Sequence, residues 1–306
     1  MCYSAEVWAD YHRYVRQFGA DIDIRAFIEL YAQRATGLGA KTPKAMDAAF
    51  MRAETDDERL IMTAIGEVNT AAVAKLEQDV FKQKKRLADA QRTLSIKATK
   101  KAQEDQRIAT DKIDSTLRRL GDLKRTELQP KDSRIYPGMY APVMVSEGGK
   151  RVLRPMRYQC RPEGKPAVYD RKYPGTYNAR RDNLEGFWKG LFGSRHGIMV
   201  ADVFYENVTG PDGKNQVLEF TPKTGEPMLI ACLWSQWSGE GEELLSFAAI
   251  TDDPEPEVAA AGHDRTIINI KPEHVDDWLN PTGDLQALYR IFDDKRHPFY
   301  EHRNAA

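Results

Sequence analysis

Residues 67–120 contain neither glycine nor proline and are dominated by Ala, Leu, Lys, Gln, Arg and Asp. So long a run of helix formers without a breaker predicts helix throughout. Its apolar residues, Leu76, Val80, Leu87, Ala90 and Leu94, then Ile113, Leu117 and Leu120, recur at intervals of three, four or seven. As one rod the segment would span roughly 80 Å and leave this stripe in water. Folding back around residues 95–104, where the stripe is weakest, would bury one half on the other in a coiled-coil-like hairpin. The predicted unit is a helical insertion over residues 58–127, flanked by a core made of residues 1–57 and 128–306.

The insertion is also where the charge sits. Residues 82–125 hold fourteen Lys or Arg against six Asp or Glu, so this segment carries +8 while the chain as a whole carries -1. Such a face either is solvated or meets an anionic partner, and self-association through the hairpin is a further expectation. Residues 5–57 read as helices, with Val7, Tyr11, Tyr14 and Val15 and then Ile24, Phe27, Ile28 and Tyr31 as apolar faces. After Pro130 the texture changes to short β-rich runs at 139–145, 152–158, 197–205, 216–221, 228–234, 244–250 and 266–270, broken by Pro and Gly. Two short helices are expected after Pro272 and over 285–292. The fold class is therefore α+β, a mainly antiparallel sheet or open barrel with flanking helices and the inserted hairpin.

With 306 residues, 41% of them apolar, the chain can bury a substantial core. No run approaches the twenty apolar residues of a membrane span, and the start lacks a secretory profile, so no membrane partner and a cytoplasmic location are expected. Cys2, Cys160 and Cys232 are sparse and lack metal-ligand spacing, which predicts neither a disulfide framework nor a metal site, and no organic cofactor is indicated.

The start, Met1-Cys2-Tyr3-Ser4, carries more information than its length suggests. Removal of the initiator Met leaves a cysteine bearing both a thiol and a free α-amine. At neutral pH about a tenth of such an amine is unprotonated. The pair is matched to an aldehyde, because the amine forms a Schiff base and the thiol then closes a five-membered thiazolidine. An early cysteine is also compatible with an ordinary frayed terminus. Three downstream contexts bear on the choice: Tyr177-Asn178-Ala179-Arg180, then Phe204-Tyr205-Glu206 after an apolar run, then His263-Asp264-Arg265 before an Ile-rich segment.

Taken in order with Cys2, these resemble the SRAP family, the SOS-response-associated peptidases understood as abasic-site processing proteins. The resemblance implies a compact β-rich core to which the helical insertion is an addition. It implies that Met1 is cleaved first, by an autoproteolytic peptidase activity, and that Cys2 then forms a covalent thiazolidine crosslink with abasic sites in single-stranded DNA, accompanied by lyase activity. Family members commonly begin Met-Cys-Gly-Arg, whereas this chain has Tyr3 and Ser4. Their double-Trp loop is replaced by Ala167-Val168-Tyr169-Asp170-Arg171-Lys172-Tyr173, and Ile267 stands where proline is typical.

The candidate catalytic residues are Cys2, Asn178, Glu206 and His263. Beside aromatic neighbours Glu206 would be desolvated and its pKa raised, suiting it to shuttle protons near neutrality; a strand-end glutamate is otherwise often a solvated edge residue. His263 titrates in the right range to protonate a leaving oxygen, or serves as a structural cap. Asn178 can orient the terminal residue and the sugar, or reflects turn chemistry after Pro174-Gly175. Residues 151–195 hold eleven cations and four acids interleaved with tyrosines and Trp188, the composition of a groove that neutralises phosphates and stacks unpaired bases. Arg180, Arg181, Arg265, Tyr177 and Trp188 are the expected DNA contacts. Two other classes stay open: an amino-terminal-nucleophile cysteine amidohydrolase, which also begins Met-Cys, and a non-catalytic scaffold whose basic insertion binds nucleic acid or protein.

Overall fold

The computed structural model describes residues 3–37, 39–210, 212–239 and 241–305. Strand β1 (Ser4–Val7) leads into helix α1 (Tyr11–Phe18), which is followed by the two-residue strand β2 (Asp21–Ile22) and helices α2 (Ile24–Ala35) and α3 (Lys44–Ala48). Helix α1 starts where the Asp10 side chain accepts the His12 N–H and stops at Gly19, whose φ of 60° is the left-handed conformation glycine adopts most readily. It buries Tyr11 and Tyr14, while Val15, expected on the same face, is exposed.

The long Gly/Pro-free run folds back on itself as expected. Helix α4 (Asp56–Ile96) opens on a reciprocal capping box between Thr55 and Glu58, and helix α5 (Lys100–Lys124) opens on Thr99, whose hydroxyl accepts the Ala102 N–H. Three residues, Lys97, Ala98 and Thr99, make the turn. Leu76, Val80 and Ala90 are buried on one helix and Ala102, Ala109, Ile113 and Thr116 on the other. Leu117, predicted in the seam, is 45% exposed. Its neighbour Thr116 takes the inward position, and the small Ala102 and Ala109 complete the buried side of α5. Arg86 bonds Asp105 across the helices at 2.5 Å. Ile61 and Ile65 at the base of α4 belong to the main core, each contributing about 2 kcal/mol by burial, so the hairpin is rooted in the body. No helix among the described residues is long and apolar enough to cross a membrane.

Beyond a 3-10 turn at Pro130–Ser133 come strands β3 (Arg134–Ile135), β4 (Tyr140–Glu147) and β5 (Lys150–Tyr158), helix α6 (Tyr169–Lys172), and strands β6 (Asn178–Arg180), β7 (His196–Thr209), β8 (Asn215–Pro222), β9 (Met228–Gly239) and β10 (Glu242–Asp252). The chain ends with α7 (Pro256–Ala260), β11 (Thr266–Ile267), α8 (Val275–Leu279), α9 (Leu285–Asp293) and β12 (Tyr300–Asn304). The architecture is α+β around one mixed, mostly antiparallel sheet. Strand β7 is antiparallel to β1, β8 and β9; strand β10 is antiparallel to β9 and parallel to β5 and β6. Strands β4 and β7 meet only at Met144↔Ile198, so the curled sheet stays open there. Phe204 stacks on Phe220 and Tyr158 on Phe247 in the core beneath these strands.

Two boundaries differ from expectation in ways that matter for the site. Residues 5–7, read as part of a helical segment, belong with Ser4 to β1, which pairs Ser4 with Tyr205 and Glu6 with Val203. Ser-Ala-Glu-Val is too short to display a period, and its conformation is set by the partner strand. Strand β11 ends at Ile267 instead of Ile270: Asn269 forms only an isolated bridge to Ile230, and its carboxamide oxygen accepts the Leu229 N–H.

Candidate active site

Strand β7 carries the central acid. Glu206 was expected at a strand end, but β7 continues to Thr209 and Glu206 lies within it, 1% exposed. Burial raises its pKa well above the ordinary carboxylate range, Asp264 adds to the rise, and a hydrogen bond from the Tyr3 backbone N–H opposes it. That hydrogen bond fits the β1–β7 register, which continued one step past Ser4↔Tyr205 sets Tyr3 across from Glu206.

His263 follows Gly262, whose φ of 93° lets the chain turn sharply between α7 and β11. Its Nδ1 lies 2.9 Å from the Arg265 carbonyl oxygen, to which a protonated Nδ1 donates. This leaves Nε2 directed at Glu206, 3.2 Å from Oε2. Burial lowers the His263 pKa and the Arg265 guanidinium charge acts in the same direction, while the hydrogen bond to the Arg265 carbonyl and the charge of Asp264 oppose it. The carboxyl and imidazole are therefore pushed toward their neutral forms from opposite sides, and the contact between them is a path along which a proton can pass.

Asn178 arrives on β6, an element the sequence reading treated as a loop end. Parallel pairing sets it beside Ala249. The Thr251 hydroxyl donates to Asn178 Oδ1 at 2.7 Å, which fixes the carboxamide and leaves its NH2 as the half that can donate elsewhere. The preceding residue, Tyr177, is 6.4 Å from the Tyr3 ring in an edge contact, and Tyr136 approaches Tyr3 from another side at 5.9 Å. Tyr3 thus links the two halves of the constellation: its backbone bonds Glu206 and its ring meets the residue next to Asn178. Cys2 lies outside the described residues.

The expected DNA contacts divide. Tyr177 and Trp188 are 7% and 3% exposed, so both pack as core and neither offers an open ring face. Arg181 bonds Asp252 and Asp293 and lies over Tyr289 and Phe292, a buttress between β10 and α9. Arg180 is exposed but forked onto Asp182, and Arg265 points at the same carboxylate from 3.9 Å. Cation clusters in sequence overlooked two of these acids, Asp252 and Asp293, because they come from other segments.

Two features escaped sequence reasoning. Arg134 on β3 donates from Nε to Ser4 Oγ at 3.0 Å and lies 3.4 Å over the Tyr205 ring, so a guanidinium stands beside the chain's start although positions 3 and 4 supply none. Around α6, Tyr173 and Phe187 are 43% and 40% exposed, Tyr169 meets both rings, and Lys165 and Lys172 sit over Tyr169 and Tyr173. Beneath that patch Asp170 is gripped by Arg157 and Arg161, the latter bound at 2.5 Å. Among the described residues no group of three or more His, Cys, Asp or Glu could hold a metal ion. Cys160 and Cys232 are buried free thiols.

A family model described as SOS response associated peptidase (SRAP) matches residues 92–303. Solved structures that resemble the chain include a protein from Bordetella bronchiseptica, at 19% identity over 57% of this chain and 87% of the other with a TM-score of 0.48. Another is a protein from Bacteroides thetaiotaomicron, at 14% identity over 56% and 77% with a TM-score of 0.48. A phage-related protein from Bordetella bronchiseptica aligns at 20% identity over 60% and 85% with a TM-score of 0.44. A comparison with curated proteins gave no match.

Proposed function

The chain belongs to the SOS response associated peptidase (SRAP) family, and on that premise we propose that it captures abasic sites in single-stranded DNA as a covalent adduct on Cys2. Membership carries the association with DNA damage at family level; the crosslink and its residues are this reading's own content. The observation that supports it best is the buried Glu206–His263 pair, 3.2 Å apart, beside the Tyr3 backbone and within one residue's contact of Asn178.

After loss of Met1, the Cys2 amine adds to the open-chain aldehyde of the abasic sugar, and Glu206 accepts the proton that the amine sheds. The carbinolamine then expels its hydroxyl as water, with the proton returned through Glu206 or His263, leaving an imine. Addition of the Cys2 thiol to the imine carbon, with its proton passing to the nitrogen, closes the thiazolidine; one water is released overall. Asn178, held by Thr251, donates to the sugar and keeps the reacting atoms in near-attack geometry. A carboxyl whose pKa is lifted by burial holds its proton more firmly than an ordinary carboxylate and so suits both halves of the proton traffic.

Substrate grip is assigned to Arg134 beside the chain's start and to the exposed Tyr173 and Phe187 with Lys165 and Lys172, where cations neutralise phosphates and ring faces stack unpaired bases. The same carboxyl and imidazole are the groups assigned to the cleavage of Met1 and to lyase chemistry at the sugar. The test is incubation of purified protein with a single-stranded oligonucleotide bearing one abasic site, followed by denaturing electrophoresis. A heat-stable adduct with the wild type and none with Cys2→Ser is expected; adduct in neither, or equally in both, would refute the assignment.

A further inference from the structure

The α4–α5 hairpin carries cations that its own acids do not neutralise. Within it Arg86 pairs with Asp105, Arg92 with Asp89, and Arg107 with Glu104 and Asp111. Those pairs use up nearly all the carboxylates along its outer half. Lys82, Lys84 and Lys85 on α4, Lys97 in the turn, and Lys100 and Lys101 at the start of α5 are exposed and form no ion pair within 4 Å among the described residues. Lys82, Lys85 and Lys101 converge on a shallow groove of about 550 Å³ between the two helices, where Asp89 and Asp105 are already engaged by arginines.

Lys100 and Lys101 also occupy the first turn of α5, where the helix macrodipole disfavours cations, and no acid shares that turn. Among the described residues no ion pair engages these ammonium groups. An exposed, self-repelling set of ammonium groups on a stiff rod is what an external polyanion requires. The rod is long as well: α4 alone spans about 60 Å from a base buried in the core.

We infer that the outer half of the hairpin is a second nucleic-acid contact, which lies along the phosphates of duplex DNA flanking the single-stranded site. This rests on the DNA-directed reading of the core. Duplex is the occupant that fits, because cations fixed along a rigid helix pair best complement phosphates held at fixed spacing, and a duplex presents one charge per about 1.7 Å of its axis.

The test uses the full chain, a triple variant K82Q/K85Q/K101Q and its charge-conserving counterpart K82R/K85R/K101R. Fluorescence anisotropy measures binding to an abasic single strand and to the same strand extended by a 20-base-pair duplex, across a KCl series, with adduct yield on the short strand scored in parallel. The wild type should bind the duplex-bearing ligand more tightly. The Gln variant should lose that preference and lower the slope of log K against log salt by about 2 to 3, since each lost phosphate contact removes about 0.9. The Arg variant should restore both, and adduct yield on the short strand should not change. Equal slopes for wild type and Gln variant, or the same loss on both ligands, would overturn the inference. Absence of adduct in every protein with the duplex preference intact would instead count against the Cys2 reading alone.

Discussion

Replacing Glu206 by Gln removes one ionisable proton from the site at nearly constant volume, and the structure predicts opposite effects on chemistry and on stability. General acid–base groups contribute typically about 10²–10⁴ in rate. Asp264, whose Oδ1 lies 4.0 Å from His263 Nε2 and is largely exposed, can relay protons in part, which favours the lower half of that range. Single-turnover adduct formation at pH 7.5 should therefore slow about 10²- to 10³-fold, with DNA affinity nearly unchanged. For stability the sign is set by burial. Glu206 has a folded pKa raised above its unfolded value, so the folded state holds the proton more tightly. Its contribution is fully present below the unfolded pKa near 4.3 and is lost as pH rises through the folded pKa, at about 1.4 kcal/mol for each unit of difference. Gln cannot ionise and escapes this loss. Urea unfolding should show E206Q gaining on the wild type as pH rises from 4 to 8, with the gain absent at the acid end. A variant that reacts at the wild-type rate, or is less stable by a constant amount at every pH, would refute the reasoning.

Thr251→Val removes the hydroxyl that donates to Asn178 Oδ1; it should cost about 1 kcal/mol in urea unfolding and slow adduct formation about tenfold, because a freed carboxamide no longer holds one orientation. Asp170→Ala strips the partner from Arg157 and Arg161 and should cost about 3 kcal/mol. Although burial opposes it, hydrogen bonds from Arg161 and Arg157 hold the Asp170 pKa below the ordinary value, so its contribution is present above the unfolded pKa near 3.9 and falls away as pH drops through the folded one, and the difference between wild type and D170A should shrink there. Exchanging residues 83–108 for a short Gly-Ser turn shortens the hairpin while keeping Ile61 and Ile65 in the core; cooperative unfolding and adduct yield on short single strands should persist, as read by thermal melts and denaturing gels.

The hairpin was legible because one long helical pattern without a breaker admits few solutions, and its turn falls at residues 97–99, inside the predicted window. The long strands β4, β5 and β7 to β10 were legible for a similar reason, being β-rich runs bounded by Pro and Gly. What composition could not reveal was pairing. Strands β1 and β6, of four and three residues, owe their conformation to β7 and β10, and these two strands bring Tyr3 beside Glu206 and seat Asn178 next to Thr251. The candidate catalytic residues, and Arg180 and Arg265 among the expected DNA contacts, were picked out by the order of their motifs, while Tyr177, Arg181 and Trp188 were chosen by residue type. Burial separates them: Trp188 and Tyr177 turn inward, Arg181 is claimed by Asp252 and Asp293, and Tyr173 and Phe187 face outward. Arg134 had no signal at all, since only the β1–β3 pairing brings it to Ser4.

The most direct measurement is the intact mass of the protein after reaction with an abasic oligonucleotide, for the wild type and Cys2→Ser without borohydride. The account predicts a wild-type species equal to the chain without Met1 plus the oligonucleotide less one water, and no stable adduct from Cys2→Ser. Retention of Met1 in the adduct, or an adduct of the same yield and stability from Cys2→Ser, would contradict it.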